Sequence, residues 1–117
     1  MEYSREVLLD MNIIQSLKEL GGEDDFFKEI LDLYCQQYPE LYKNIQHSFS
    51  IKNYDSLSKY AHALKGASLN IGAKELAEIC KNVEINSKNG LYDGLESLIL
   101  KIDSVKKITL DEMQSLL

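Results

Sequence analysis

His62 is the side chain of this sequence best suited to nucleophilic chemistry, because a free imidazole has a pKa of about 6.5 and is largely uncharged at neutral pH. It lies in the segment 57–72, where apolar residues recur at the three- and four-residue spacing of a helix. On a helical projection His62 lies nearly opposite these apolar positions, and Lys65 and Gly66 follow it by one turn. The pattern predicts an outward-facing imidazole with a cation and a bare backbone beside it.

Gly66 needs an explanation, because glycine in a helix interior costs about 0.8–1 kcal/mol relative to alanine. It lies away from the apolar stripe, so close packing against the core does not explain it. The missing side chain leaves space in which a ligand or a partner group can approach His62. These residues alone leave one alternative open, a solvated histidine beside a tolerated glycine.

A carboxylate on the next predicted helix lies at the height of His62. Gly72 ends the first helix, and residues 73–87 form a second amphipathic segment. A connection this short makes the two helices antiparallel neighbours. His62 comes ten residues before Gly72 and Glu84 twelve residues after it, so both lie at nearly the same level. A carboxylate there can accept the N–H of one ring nitrogen and leave the other nitrogen free as a nucleophile.

The residues around this pair resemble the signature of histidine-containing phosphotransfer (HPt) domains. The matching positions are Ala61-His62-Ala63-Leu64-Lys65-Gly66-Ala67-Ser68, Gly72-Ala73, Leu76, Cys80 and Glu84. The resemblance covers most of the chain, from about Leu8 to the last predicted helix. It implies that His62 is phosphorylated and that Lys65 and Gly66 border it. It also implies that Glu84, 22 residues after the histidine, holds the ring.

The resemblance implies a histidine phosphocarrier of a two-component phosphorelay. Such a carrier accepts a phosphoryl group from the aspartate of one response-regulator receiver domain and passes it to another, and a hybrid histidine kinase is a further partner. Two alternatives remain at this point. One is a helical adaptor that binds receiver or kinase domains without being phosphorylated, and the other is the phosphoacceptor piece of a larger histidine kinase.

Composition and missing motifs limit the other function classes. The 117 residues form one domain, 1–117, of which 44% are hydrophobic, and the net charge of −6 argues against nucleic acid as a partner. The sequence lacks a glycine-rich phosphate loop, so we expect a transfer intermediate without an ATP site, not an enzyme. No apolar run approaches the ~20 residues of a membrane span and no signal-peptide pattern occurs, which favours a cytoplasmic protein. A single carrier domain with one exposed site needs no self-association, so we expect a monomer.

We expect no cofactor and no metal site in this chain. The two cysteines, Cys35 and Cys80, read as inward-facing reduced thiols, and neither belongs to a C-x-x-C pair. His47 has no partner at metal-ligand spacing. Any Mg²⁺ that the reaction needs is expected on the acidic pocket of the partner receiver domain.

The remaining segments predict an all-α fold, an up-down antiparallel four-helix bundle with a short additional N-terminal helix. Residues 1–9 are expected to be a loose lead-in whose apolar end, Val7, Leu8 and Leu9, docks on the bundle. Asp10 then caps the short helix, which continues to Leu20. The next helix begins near 23–25 and carries apolar side chains as far as Phe49.

Three further expectations concern helix boundaries. Pro39 predicts a bend near 35–39 within one helix, not two separate helices. Asn53 caps the helix that carries His62, and the polar run 86–90 reads as a loop. The last helix begins at about Tyr92, and residues 109–111 could interrupt it.

The surface around His62 supplies candidates for partner contact. Leu69 lies on the same outer face of the helix and reads as part of a docking patch. Ser58 and Asp55 are predicted on that face as its polar rim.

Overall fold

The computed structural model describes residues 3–22 and 25–117. It contains six helices: α1 (Arg5–Leu8), α2 (Met11–Leu20), α3 (Phe26–Ser50), α4 (Tyr54–Asn70), α5 (Lys74–Lys88) and α6 (Leu95–Gln114). The four long helices α3–α6 form the bundle, in which α4 packs against both α3 and α5, while α6 packs against α5 and α3. The predicted all-α bundle is confirmed.

Side-chain caps fix where the helices begin. Asp10 accepts hydrogen bonds from the first backbone N–H groups of α2, and Asn53 accepts one at the start of α4, as predicted. Asp25 caps α3 in the same way. The predicted start of α3 over 23–25 therefore agrees at Asp25, while Glu23 and Asp24 lie outside the described residues.

A single hydrophobic core fills the bundle and sets the direction of α4. Along α4, Leu57, Ala61 and Leu64 are fully buried, so the opposite face of this helix is turned to solvent. The other long helices contribute the remaining buried residues, which include Phe27, Tyr34, Ile45, Leu76, Val83, Ile99, Ile102 and Met113. The burial of α4 is what aims His62 outward.

The predicted lead-in is not loose, because residues 5–8 form the short helix α1, while residues 1–2 lie outside the described residues. The predicted docking of its apolar end is confirmed for Leu8 and Leu9, which are buried against the bundle, and is wrong for the exposed Val7. The following backbone is tied down as well: the amide of Asp10 donates a hydrogen bond to the carbonyl of Gly72, in the turn between α4 and α5, at 2.8 Å. Apolar burial and this backbone bond together order the N-terminal segment.

The predicted loop over 86–90 begins too early, because α5 continues through Lys88. Ser87 is buried, and its hydroxyl donates a 2.6 Å hydrogen bond to the carbonyl of Val83 one turn earlier. A polar side chain satisfied by its own helix does not break that helix. The extra turn brings Lys88 onto the same face as Glu84.

The observed bounds of α3 and α6 decide three other predictions about where helices begin or break. The last helix begins at Leu95, directly after Gly94 in the left-handed conformation (φ 85°), and not at Tyr92. It runs unbroken past the suspected interruption, because Thr109 is buried in the core. Helix α3 is continuous through Pro39, which excludes two separate helices.

Cys35 is exposed and Cys80 is buried, so the prediction of two inward thiols holds only for Cys80. The buried face of α3 at this level is formed by Leu31, Tyr34 and Tyr38, and Cys35 lies beside that face. Within residues 3–22 and 25–117, no helix combines the length and hydrophobicity of a membrane span.

Candidate functional site

The side chains of His62 on α4 and Glu84 on α5 meet at the bundle surface. Nδ1 of His62 lies 3.0 Å from Oε2 of Glu84, at hydrogen-bond distance. The His62 side chain is 66% exposed, whereas that of Glu84 is only 8% exposed. The two residues therefore lie as the helix rise and the antiparallel pairing predict, with the carboxylate on the inner side of the ring.

Two lysines share the same carboxylate. Nζ of Lys65 lies 2.8 Å from Oε1 of Glu84, and Nζ of Lys88 lies 3.1 Å from Oε2. Burial alone raises the pKa of Glu84, but the hydrogen bonds from Lys65, Lys88 and His62 outweigh burial and lower this pKa from 4.5 to about 2. Glu84 is therefore an anion at neutral pH.

The ionised carboxylate assigns the tautomer of the histidine. An ionised carboxylate can only accept hydrogen bonds, so in the 3.0 Å contact with Glu84 the Nδ1 atom of His62 carries the proton. The neutral ring then has its lone pair on Nε2, for which the described residues offer no hydrogen-bond partner. This arrangement presents an oriented nitrogen nucleophile to solvent.

Lys65 and Gly66 occupy different surroundings from each other. The Lys65 ammonium is engaged by Glu84, and its side chain is only 24% exposed. A Cβ atom added to Gly66 would meet nothing within 4 Å, so the space predicted beside the histidine is present. Gly66 also forms part of the wall of a groove of about 440 Å³ between α3 and α4, together with Leu33, Tyr34 and Asn70.

Of the three predicted partner-contact residues, two are exposed and one is buried. Leu69 is half exposed, and the Asp55 side chain is exposed and forms a 3.0 Å ion pair with Lys59. Ser58 is buried, which corrects its assignment to an exposed rim, and its hydroxyl donates to the carbonyl of Asp55 at 3.2 Å. Since α4 is flanked by both α3 and α5, its buried face is wider than one apolar stripe.

Lys88 is the residue of this cluster that sequence reasoning missed. The polar composition of 86–90 suggested a loop, which removed Lys88 from consideration. Its spacing carried the signal, because an acidic residue followed four residues later by a lysine forms an ion pair when both lie on one helix. Glu84 and Lys88 form that pair.

No group of three or more His, Cys, Asp or Glu side chains suited to a metal ion occurs within 3–22 and 25–117. Glu84, the carboxylate bound to the ring of His62, already faces two ammonium groups and a ring N–H.

The family model of the Hpt domain matches residues 29–115, which is most of the chain. The matched range includes His62, Lys65, Gly66, Glu84 and Lys88. The chain belongs to the Hpt domain family.

Two curated proteins are similar to this chain. Histidine-containing phosphotransfer protein 2 of Oryza sativa subsp. japonica is 29% identical over 83 residues, which cover 69% of this chain and 56% of that protein. Multistep phosphorelay regulator 1 of Schizosaccharomyces pombe is 26% identical over 106 residues, which cover 86% of this chain and 36% of that protein. The chain thus spans about half or less of the length of these relatives.

Solved structures share the fold. Histidine-containing phosphotransfer protein B from Pseudomonas aeruginosa PAO1 superposes with a TM-score of 0.83 at 26% identity, and the match covers 92% of this chain and 91% of that one. A histidine-containing phosphotransfer protein from Medicago truncatula gives a TM-score of 0.80 at 17% identity, covering 95% and 82% of the two chains. The second likeness concerns the fold alone.

Proposed function

We propose that the protein is a histidine phosphocarrier in a phosphorelay and that His62 is its phosphoacceptor. The single observation that carries this proposal is the His62–Glu84 pair, in which Nδ1 is bound at 3.0 Å and the exposed ring presents Nε2 to solvent. Membership of the Hpt domain family and the similarity to proteins named for histidine phosphotransfer support it.

In the proposed reaction the lone pair of Nε2 attacks the phosphorus of an aspartyl phosphate on a receiver domain. The N–P bond forms while the P–O bond to the aspartate breaks, and the electron pair of that bond returns to the aspartate as a carboxylate. Nδ1 keeps its proton, so the ring gains a positive charge and the phosphoryl group keeps two negative charges. The reverse reaction on a second receiver regenerates the neutral imidazole of His62.

Glu84 has two roles in this scheme. It holds the ring so that Nε2 points outward, and its negative charge lies 3.0 Å from the nitrogen that shares the developing positive charge. The bond from Lys65 keeps Glu84 ionised and in place. Transfer of this kind depends mainly on positioning and charge stabilisation, which these three side chains provide.

Gly66 is assigned a steric role. Because a Cβ at this position would meet nothing within 4 Å, there is open space next to the Gly66 backbone, through which we propose that a partner group approaches His62. We assign Leu69 and Asp55, both exposed, to the partner contact, and we leave the buried Ser58 out of it.

The proposed partners are response-regulator receiver domains, with a hybrid histidine kinase as a further source of phosphoryl groups. Mg²⁺ is assigned to the receiver, and the carrier itself needs no nucleotide because its donor is a phosphorylated protein and its acceptor is the free aspartate of a second receiver domain. One exposed site needs no second copy of the chain, so we propose a monomer that meets its receivers in the cytoplasm.

The test is transfer of labelled phosphate from a phosphorylated receiver domain to this protein. The sequence contains two histidines, so His47→Gln is a matched control for His62→Gln. His47 lies on α3 and is exposed without belonging to the site. We expect the wild type and His47→Gln to accept acid-labile, alkali-stable label and His62→Gln to accept none.

Label that persists on His62→Gln would refute the assignment of the phosphoacceptor. Binding of receiver domains without any label on the wild type would instead identify the protein as a non-phosphorylated adaptor. Circular dichroism of each variant checks that the helical fold is unchanged.

A further inference from the structure

His62 borders a cleft of about 420 Å³ whose lining does not include Gly66. The residues that line this cleft are Asp55, Ser58, Lys59, His62, Glu84 and Lys88. Lys65 does not line it. Two of the six residues that line the cleft beside His62 are thus lysines, although the chain as a whole carries a net charge of −6.

Lys88 is the lysine of the cleft that lies next to the histidine. Its Nζ and the Nδ1 atom of His62 bind the same oxygen of Glu84, at 3.1 and 3.0 Å. Two atoms that share an acceptor at these distances are at most about 6 Å apart. The Lys88 side chain is 60% exposed, so its four-carbon stem has room to move within the cleft.

Release of Lys88 from Glu84 leaves the carboxylate well satisfied. Oε1 keeps the 2.8 Å bond from Lys65, and Oε2 keeps the bond from the ring of His62. Release of Lys65 would be less favourable, because Oε1 of a side chain only 8% exposed would lose its one donor among the described residues. Of the two ammonium groups on Glu84, the one on Lys88 is therefore the one free to move.

Phosphorylation supplies the reason for such a move. The phosphoryl group adds two negative charges to an exposed nitrogen, and a lysine binds phosphate as a point charge with three donors. Lys59, the other lysine of the cleft, pairs with a different carboxylate, since its Nζ lies 3.0 Å from Oδ2 of Asp55, whereas Lys88 and the ring of His62 bind the same oxygen of Glu84.

We propose that Lys88 is the residue that contacts the phosphoryl group of phosphorylated His62, and that Lys65 remains on Glu84 as a positioning residue. This inference rests on the proposed function, since it concerns the phosphorylated state of the same histidine. It divides the two lysines of the site between two tasks.

The first experiment follows the phosphoryl group itself by ³¹P NMR in the isolated protein, which is phosphorylated with phosphoramidate. A cation in contact with the phosphoryl group lowers the pKa of its second ionisation. We therefore expect Lys88→Gln to raise that pKa by about half a unit relative to the wild type and Lys88→Arg to restore it.

Lys81→Gln and Lys59→Gln are the matched controls, because each removes one exposed positive charge. Lys81 lies on α5 outside the cleft. Lys59 lines the cleft and forms an ion pair with Asp55. We expect both to leave the phosphoryl pKa unchanged. Lys65→Gln should instead change the ¹⁵N shift of Nδ1 in unphosphorylated His62, because it loosens Glu84.

The second readout is the rate of transfer from a phosphorylated receiver domain. Loss of an exposed charge contact predicts a rate about three- to five-fold lower for Lys88→Gln, and no such loss for Lys81→Gln. Equal behaviour of these two variants in both experiments would overturn the assignment of Lys88. So would an effect on the phosphoryl pKa that follows Lys59 or Lys65 instead.

Failure of the inference is distinct from failure of the proposed function. If His62 takes a phosphoryl group and Lys88→Gln has no effect, only the role of Lys88 is wrong. If His62 takes none from either phosphoramidate or the receiver, the phosphocarrier proposal and the inference are both wrong.

Discussion

The replacement of Glu84 by glutamine tests how much the ionised carboxylate contributes to the stability of the protein. Glutamine has the shape of a protonated glutamate and keeps an acceptor oxygen for the ring N–H of His62. It removes the negative charge that the two ammonium groups of Lys65 and Lys88 face at 2.8 and 3.1 Å. Glu84→Gln therefore isolates the charge from the shape.

The expected magnitude follows from the pKa of Glu84, which is about 2 in the folded protein and 4.5 ordinarily. This difference corresponds to about 3 kcal/mol of stabilisation at neutral pH. Because the pKa is lowered on folding, the stabilisation is complete above the ordinary pKa and disappears as pH falls through the folded one. At about pH 3 only about 1 kcal/mol should remain.

The measurement is the free energy of unfolding in urea for the wild type and Glu84→Gln. We expect the variant to be less stable by about 2–3 kcal/mol at neutral pH and by about 1 kcal/mol at pH 3. The value at neutral pH is set below the full stabilisation because the exposed Lys88 is screened by solvent. Far-ultraviolet circular dichroism should be the same for both proteins.

Other carboxylates also titrate in this pH range, so the control is Glu78→Gln on the same helix, where the side chain is exposed and forms no ion pair within the described residues. Its difference from the wild type should be small and nearly independent of pH. A gap between the wild type and Glu84→Gln that stays constant from neutral pH to pH 3 would refute the lowered pKa of Glu84.

Three glycines and one threonine give further tests by urea unfolding. Gly66→Ala should stabilise the protein by about 1 kcal/mol, because the added Cβ meets nothing within 4 Å and alanine is the better helix former; a loss of stability would mean that the site beside His62 is not open. Gly72→Ala should cost about 1–3 kcal/mol, since φ is +82° and the Cβ would lie 3.0 Å from the carbonyl oxygen of Asp10. Gly90→Ala, with φ +73° and open space, should cost less, and equal costs would exclude a role for the close approach. Thr109→Val should stabilise by about 1 kcal/mol, because the buried hydroxyl has no partner among the described residues, and a loss of stability would show that it has one in solution.

The sequence contained enough information for the inner geometry of the site. Helical periodicity gave the outward direction of His62, and the similar counts of residues on either side of Gly72, ten and twelve, placed Glu84 near its level. Both inferences need only the regular rise and rotation of a helix, together with one short turn. The structure places the two side chains 3.0 Å apart.

The residues that sequence reasoning misplaced depend on tertiary packing. Ser58 was expected on the surface, but burial of α4 from two sides encloses it. Cys35 was expected inside, but the tyrosines next to it fill the interface of α3. Lys88 was assigned to a loop because the residues around it are polar. The helix continues there because one of these residues, Ser87, is buried and donates its hydrogen bond to a carbonyl of the same helix. Periodicity gives the centre of a helix face, whereas the width of that face and the last turn of the helix depend on neighbours.

The hydrogen bond from the Asp10 amide to the Gly72 carbonyl makes one backbone proton a reporter on the turn that joins α4 and α5. That amide belongs to the N-terminal segment, far in sequence from the histidine, yet its acceptor lies between the two helices that carry His62 and Glu84. Its rate of exchange with deuterium is slow only while the turn and the segment stay together. Comparison of this rate before and after phosphorylation would therefore detect a displacement of this turn from the N-terminal segment without a probe inside the site.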